Sequence, residues 1–302
     1  ARVAAPLPPP VALLASLALS FLFVVSLHLW RLVGFEDKSR DDTGTIKRRF
    51  VSTLFACACG AAVVWCLARP PAVQGRGDGG LTLLELIGIR SPEPLRAVAA
   101  CLLVTASLFL GPIVQHLLEV RDGYALLVSY PSVNEDSWIF LRDKVLAPVT
   151  EEIVFRACLV RLWDSAAFSK RFIIFAGPFC FALAHTHHFM EHIRRKENRK
   201  VAALQVAFQV FYTSLFGMYA TFLLLQTGST PAVIAAHSFC NWQGFPDLGV
   251  LADPEQPPHR RCALVASYLV GIAAFCCLLV PLTSGFEPPM YRCMAAGRGK
   301  VE

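Results

Sequence analysis

Charge is scarce in this chain: Asp, Glu, Lys and Arg supply 17% of its 302 residues, against roughly 25% in an average soluble domain. Together with 55% hydrophobic residues and a mean hydropathy of +0.51, that shortage excludes an ordinary water-soluble globule and points to a polytopic membrane protein. No long polar block interrupts the apolar runs between residues 11 and 282, so no separate soluble domain is expected. The eleven cysteines include no pair at the spacing of a zinc site. Many lie inside apolar runs, where they read as small buried hydrophobes. No Asn-x-Ser/Thr sequon occurs, so nothing marks a glycosylated lumenal loop. Internal repeats and low-complexity tracts are also absent. The formal charge of +6 gathers in short clusters such as Ile46-Lys-Arg-Arg49 and Arg194-Arg-Lys-Glu-Asn-Arg-Lys200. These lack interleaved aromatics or a recognition motif, which excludes a nucleic-acid partner, and they fit connectors held near anionic lipid.

A hydrocarbon core about 30 Å thick needs roughly 20 helical residues. Five stretches meet that length plainly: 11–33, 50–68, 95–118, 201–226 and 262–283. Three more, 138–162, 171–187 and 230–246, are shorter or broken by polar residues. The expectation is an all-α, polytopic membrane helical bundle of about eight transmembrane helices around a polar cavity. The first run lacks a clear cleavage site before Arg31 and reads as a signal anchor. Leu81 to Ile89 is too short to cross. A slight excess of Lys and Arg in the odd-numbered connectors places those on the cytosolic side.

The less uniform stretches carry the unusual groups. An ionised side chain at mid-bilayer costs about 2.5–3.5 kcal/mol, so several together mark a buried polar site. In Glu151-Glu-Ile-Val-Phe-Arg156, Glu152 and Arg156 are four apart on one helical face in the favourable acid-first order, while Glu151 is turned about 100° away. Pro148 can kink this helix. Phe181-Ala-Leu-Ala-His185 ends the next span and runs on to His187, His188 and His192. His188 and His192, four apart, invite a zinc reading, but the His-Glu-x-x-His order is missing. His237-Ser-Phe-Cys-Asn241 sets an imidazole and a carboxamide on one face of the seventh span. Two such donors converging on one oxygen in a dry site would suit an oxyanion. Acid, imidazole and donor pair together fit a reaction in which Glu151, assisted by His185, takes a proton from water that attacks a peptide carbonyl. Two alternatives remain open on the residues alone: a zinc-dependent membrane protease, and a proton-coupled transporter using buried Glu, His and Arg as a relay.

The order Glu-Glu-x-x-x-Arg, Phe-x-x-x-His, His-x-x-x-Asn on successive membrane helices resembles the CAAX prenyl endopeptidases and their bacteriocin-processing relatives. The resemblance also takes in Ile46-Lys-Arg-Arg-Phe50, Ala147 to Ala157, Ala184-His-Thr-His-His188 and Cys240-Asn-Trp-Gln-Gly-Phe-Pro246. It implies an intramembrane glutamate protease removing the last three residues from prenylated CaaX proteins, such as Ras-like small GTPases, in the endoplasmic reticulum membrane. By position, Glu151 would be the catalytic glutamate, His185 its partner, and His237 with Asn241 the oxyanion donors. Glu152 and Arg156 would support them, with no metal or other cofactor. The chain would then be one membrane-embedded protease domain, 1–302, with its core at about 46–283 and the anchor helix at about 11–33. Membrane lipid would surround it, and the site would open to the cytosol.

Overall fold

In hydrocarbon every backbone N–H and C=O must find its partner within the segment, so apolar runs of bilayer length fold as helices. The computed structural model describes residues 6–35, 39–69, 81–123, 137–184, 198–254 and 256–286, and every regular element among them is helical. α1 (Pro9–Ser26) opens with proline in its first turn, where the missing N–H costs nothing. A short 3₁₀ turn, Leu29–Val33, leads toward α2 (Thr43–Leu67). Asp42 caps α2 by accepting a 2.8 Å bond from the Thr45 N–H. α3 (Leu83–Leu86) is a single turn held by a Thr82/Glu85 capping box, in keeping with a piece too short to cross.

α4 (Pro94–Leu108) and α5 (Leu110–Arg121) meet at a 71° bend. α6 covers residues 137–165 and contains two wider π-helical turns, Arg142–Leu146 and Ile153–Cys158. α7 (Lys170–Ala184) and α8 (Arg199–Thr227) follow. α9 (Thr230–Gln243), α10 (Gly249–Ala252) and α11 (Pro258–Thr283) complete the chain of elements. α8 stops at Gly228, whose φ of +61° is a left-handed cap that favours glycine.

α6 is the axis of the bundle, with α1, α2, α7, α8 and α9 packed around it. α7 and α8 lie close together because Gly217 on α8 faces Pro178 on α7: a Cβ built at Gly217 would stand 2.7 Å from the Pro178 Cβ. α11 rests on α4 and α5 at the periphery. Only 11% of its apolar window is buried, so most of its surface is left for lipid. Arg260 bonds Asp122, tying the start of α11 to the end of α5. Hydrogen bonding from Arg121, with Arg260 nearby, holds the Asp122 carboxyl below the usual carboxylate range.

Within the described residues each of the eight apolar segments of the sequence contains helix, in keeping with an all-α membrane bundle, while the expected count of about eight crossings is not confirmed. Among the described residues four helices (α1, α2, α8 and α11) are long and apolar enough to cross, and the bent α4–α5 pair makes a fifth. α9, at 14 residues, falls short of the roughly 20 that a crossing needs. α6 has its regular turns broken twice.

The far end of α6 is bolted down by polar groups at depth. Arg161 donates to the Ala68 carbonyl at 2.8 Å, satisfying the C-terminal end of α2, and pairs with Asp164 at 3.3 Å. Trp163 donates to Ser16 of α1 at 2.8 Å, and the Leu7 N–H donates to the Ser165 carbonyl at 2.9 Å.

Candidate active site

Pro148 explains the first irregularity of α6. A π turn pairs each N–H with the carbonyl five residues back, and the Ala147 N–H does bond the Arg142 carbonyl. The next donor in that ladder would be residue 148, which as proline has none. The Asp143 carbonyl therefore needs another partner. Asn241 of α9 supplies it: its side-chain amide donates to the Asp143 carbonyl at 2.8 Å. Lys144 closes the clasp by donating to the Asn241 backbone carbonyl at 2.7 Å. α9 is thus locked against the π turn of α6.

One helical turn before Asn241, that lock presents His237 to the two glutamates. Glu152 is fully buried, and its carboxylate takes two partners: Arg156 Nε at 3.3 Å and His237 Nδ1 at 2.7 Å. A buried carboxylate is tolerable only with such compensation. The Arg156 guanidinium lies 4.2 Å from the Phe181 ring centroid and 5.6 Å from that of Phe216, so two aromatic faces enclose its charge. The His237 ring packs on Phe216 at 4.5 Å.

Glu151 differs. Its side chain keeps 20% of its exposure, and it lines a cavity of about 170 Å³ between α1, α2 and α6. Its Oε2 lies 3.9 Å from His237 Nε2, beyond a direct hydrogen bond. One imidazole therefore faces a carboxylate at each ring nitrogen, one buried and paired, the other open to the cavity. Around Glu151 the cavity wall is mixed, with Phe23, Phe50, Phe155 and Phe181 on the apolar side and Arg40, Arg49 and Arg142 on the charged side.

The structure thus brings together Glu151, Glu152, Arg156, His237 and Asn241. His185 lies outside the described residues, as do His187, His188 and His192. Among the described residues no group of three or more His, Cys, Asp or Glu is arranged to hold a metal ion. Sequence reasoning passed over Lys144 and the Asp143 carbonyl. The signal available was Pro148 itself, which orphans a carbonyl that some side chain must serve.

Comparison with known proteins follows the same residues. The profile of the type II CAAX prenyl endopeptidase Rce1-like family matches residues 133–243, a stretch that holds every group just named. The Homo sapiens CAAX prenyl protease 2 is 34% identical over 290 residues, covering 93% of this chain and 83% of that protein. The chain belongs to the CAAX prenyl endopeptidase family. The Rattus norvegicus CAAX prenyl protease 2 is 30% identical over 93% of this chain and 82% of its own length. For the Caenorhabditis elegans CAAX prenyl protease 2 the figures are 33% over 88% and 95%. No solved structure matches the chain. This endopeptidase is accordingly a hydrolase and a multi-pass membrane protein.

Proposed function

We propose that this endopeptidase removes the C-terminal -aaX tripeptide from farnesylated or geranylgeranylated CaaX proteins, Ras-like small GTPases among them, with Glu151 as the base that activates water. The observation that supports this most directly is the placement of Glu151: alone of the buried charged cluster it opens into the cavity, and its carboxylate stands beside the imidazole of His237. Glu151, with His185 assisting, takes a proton from water as the oxygen adds to the scissile carbonyl carbon. The carbonyl oxygen becomes an oxyanion. His237 donates from Nδ1 to the Glu152 carboxylate and, as an imidazolium with both ring nitrogens carrying protons, donates from Nε2 to that oxygen, joined by the second N–H of the Asn241 amide. When the C–N bond breaks, the proton passes from Glu151 to the leaving amine. Water is consumed, and two products form with no covalent intermediate.

The reading extends to the whole chain as one protease domain, 1–302, in the endoplasmic reticulum membrane with its cavity toward the cytosol. A prenyl chain gains about 0.8 kcal/mol per buried CH₂, so the substrate arrives already in lipid. Purified protein in detergent, given a farnesylated CaaX peptide, should release the tripeptide, and Glu151→Ala and His237→Ala should each lower the rate roughly 10²-fold or more. Equal rates in all three would remove the proposed site. A tight zinc chelator should leave the rate unchanged. Inhibition there would point to a metal instead.

A further inference from the structure

We propose that α1 forms one wall of the substrate site, with Val24 and Leu27 receiving the side chain of the residue directly after the scissile bond. The inference rests on the cleavage reading above and adds specificity-determining residues to it. The reacting groups among the described residues stand on α6 and α9. α1 contributes none of them, yet Phe23, Val24 and Leu27 all line the cavity that holds Glu151. Leu27 follows Val24 by three residues and Phe23 by four, so the three share one face at the end of α1.

This face is held in place against the carboxylate. Phe155 follows Glu151 by four residues and lines the same cavity. Its ring meets Phe23 edge-on with centroids 5.2 Å apart and Phe181 at 5.1 Å, so three aromatic rings close that side. Farther along, the Trp163 bond to Ser16 and the Leu7 bond to the Ser165 carbonyl pin α1 to α6 at two more points. Phe23 is buried in this joint, whereas Val24 and Leu27 are half-buried and keep surface toward the cavity.

Volume selects the occupant. An apolar cavity of about 150 Å³ takes up a single benzene molecule, and this one measures about 170 Å³. A farnesyl chain of three isoprene units far exceeds that space and stays with the lipid, whereas one aliphatic side chain fits. Distance selects the position along the tail. Glu151 and Phe155 are separated by one turn, a rise of about 5.4 Å, and each extended residue of a substrate advances about 3.3 Å. The first residue of the departing tripeptide is the one whose side chain meets the wall.

The test compares two farnesylated CaaX peptides that differ only in carrying valine or phenylalanine directly after the prenylated cysteine. The wild-type enzyme should favour valine in kcat/KM by about 10-fold or more, the discrimination a hydrophobic pocket gives on size. Leu27→Ala widens the wall and should bring that ratio toward one. Val24→Leu narrows it and should raise the ratio. A change at Phe21, on the lipid side of α1, should leave the ratio alone, and Phe21→Ala serves as the control for a general disturbance of the helix. Because each ratio is taken within one enzyme, a loss of folded protein cancels from it. A wild-type ratio near one overturns the proposal while leaving the cleavage reading intact, as does an undiminished ratio in Leu27→Ala or an equal shift in Phe21→Ala. Should Leu27→Ala fail to fold, an unchanged ratio in Val24→Leu has the same meaning. Cleavage of neither peptide by wild type refutes the underlying reading instead.

Discussion

Two adjacent glutamates of the same type should behave differently when changed, because their surroundings differ. Glu152 compensates Arg156 and His237 in a fully buried position, so Glu152→Ala leaves a guanidinium without its carboxylate. Breaking a buried pair typically costs about 3–5 kcal/mol, and the thermal midpoint in detergent should fall together with activity. Glu151 opens to the cavity, so Glu151→Gln should abolish cleavage with the midpoint within a degree or two of wild type. Paired thermal and peptide-cleavage measurements on the two variants check this, and equal destabilisation would contradict it. The Glu152–Arg156 pair was legible from the four-residue spacing. That His237 stands between both glutamates was not, because helical spacing gives angles around one rod and says nothing of a neighbouring rod's reach. The same limit hid the first bond of Asn241, which reads in sequence as a donor for an oxyanion and in the structure donates to the Asp143 carbonyl.

At the scale of elements, the apolar runs announced the helices well. Their irregularities were far less visible. A π turn differs from an α turn by under one residue in period, too little to show in a hydrophobic pattern, and only Pro148 hinted at one. Likewise Arg161 and Asp164, which the sequence reading did not single out, are both buried where α6 meets α2. Small residues at close approaches give the sharpest prediction here. Gly217→Ala would press on Pro178 at 2.7 Å and on the Arg156 Nη2 at 3.2 Å. Separating α7 from α8 should cost about 1–3 kcal/mol, seen as a lower thermal midpoint. Because Arg156 is disturbed as well, activity should fall further than in an equally destabilised variant remote from α6. A second element-level outcome concerns the clasp. Lys144→Met removes its bond to the Asn241 carbonyl and should lower kcat more than it raises KM. Steady-state kinetics would separate the two, and a pure KM effect would place Lys144 with substrate binding.

For the whole molecule, the bundle turns large apolar side chains outward, among them Leu269 at 62% and Phe21 at 71% exposed. Arginine at the middle of a span costs about 2.5–3.5 kcal/mol on insertion scales. Leu269→Arg, on the sparsely buried α11, should therefore reduce the fraction of protein resisting alkaline extraction from membranes while leaving the rate per inserted molecule near normal. Quantitative immunoblotting with activity normalised to inserted protein reads both. The polar bolts of α6 carry a different implication, for how the molecule is made. A rod bearing Glu152, Arg156 and Arg161 enters oil badly when alone, whereas its docking companions α1 and α2 are synthesised before it. Biogenesis thus has a natural order: the ribosome delivers the cradle first, and the reactive stave slides from the translocation channel into a waiting groove without ever standing naked among acyl chains.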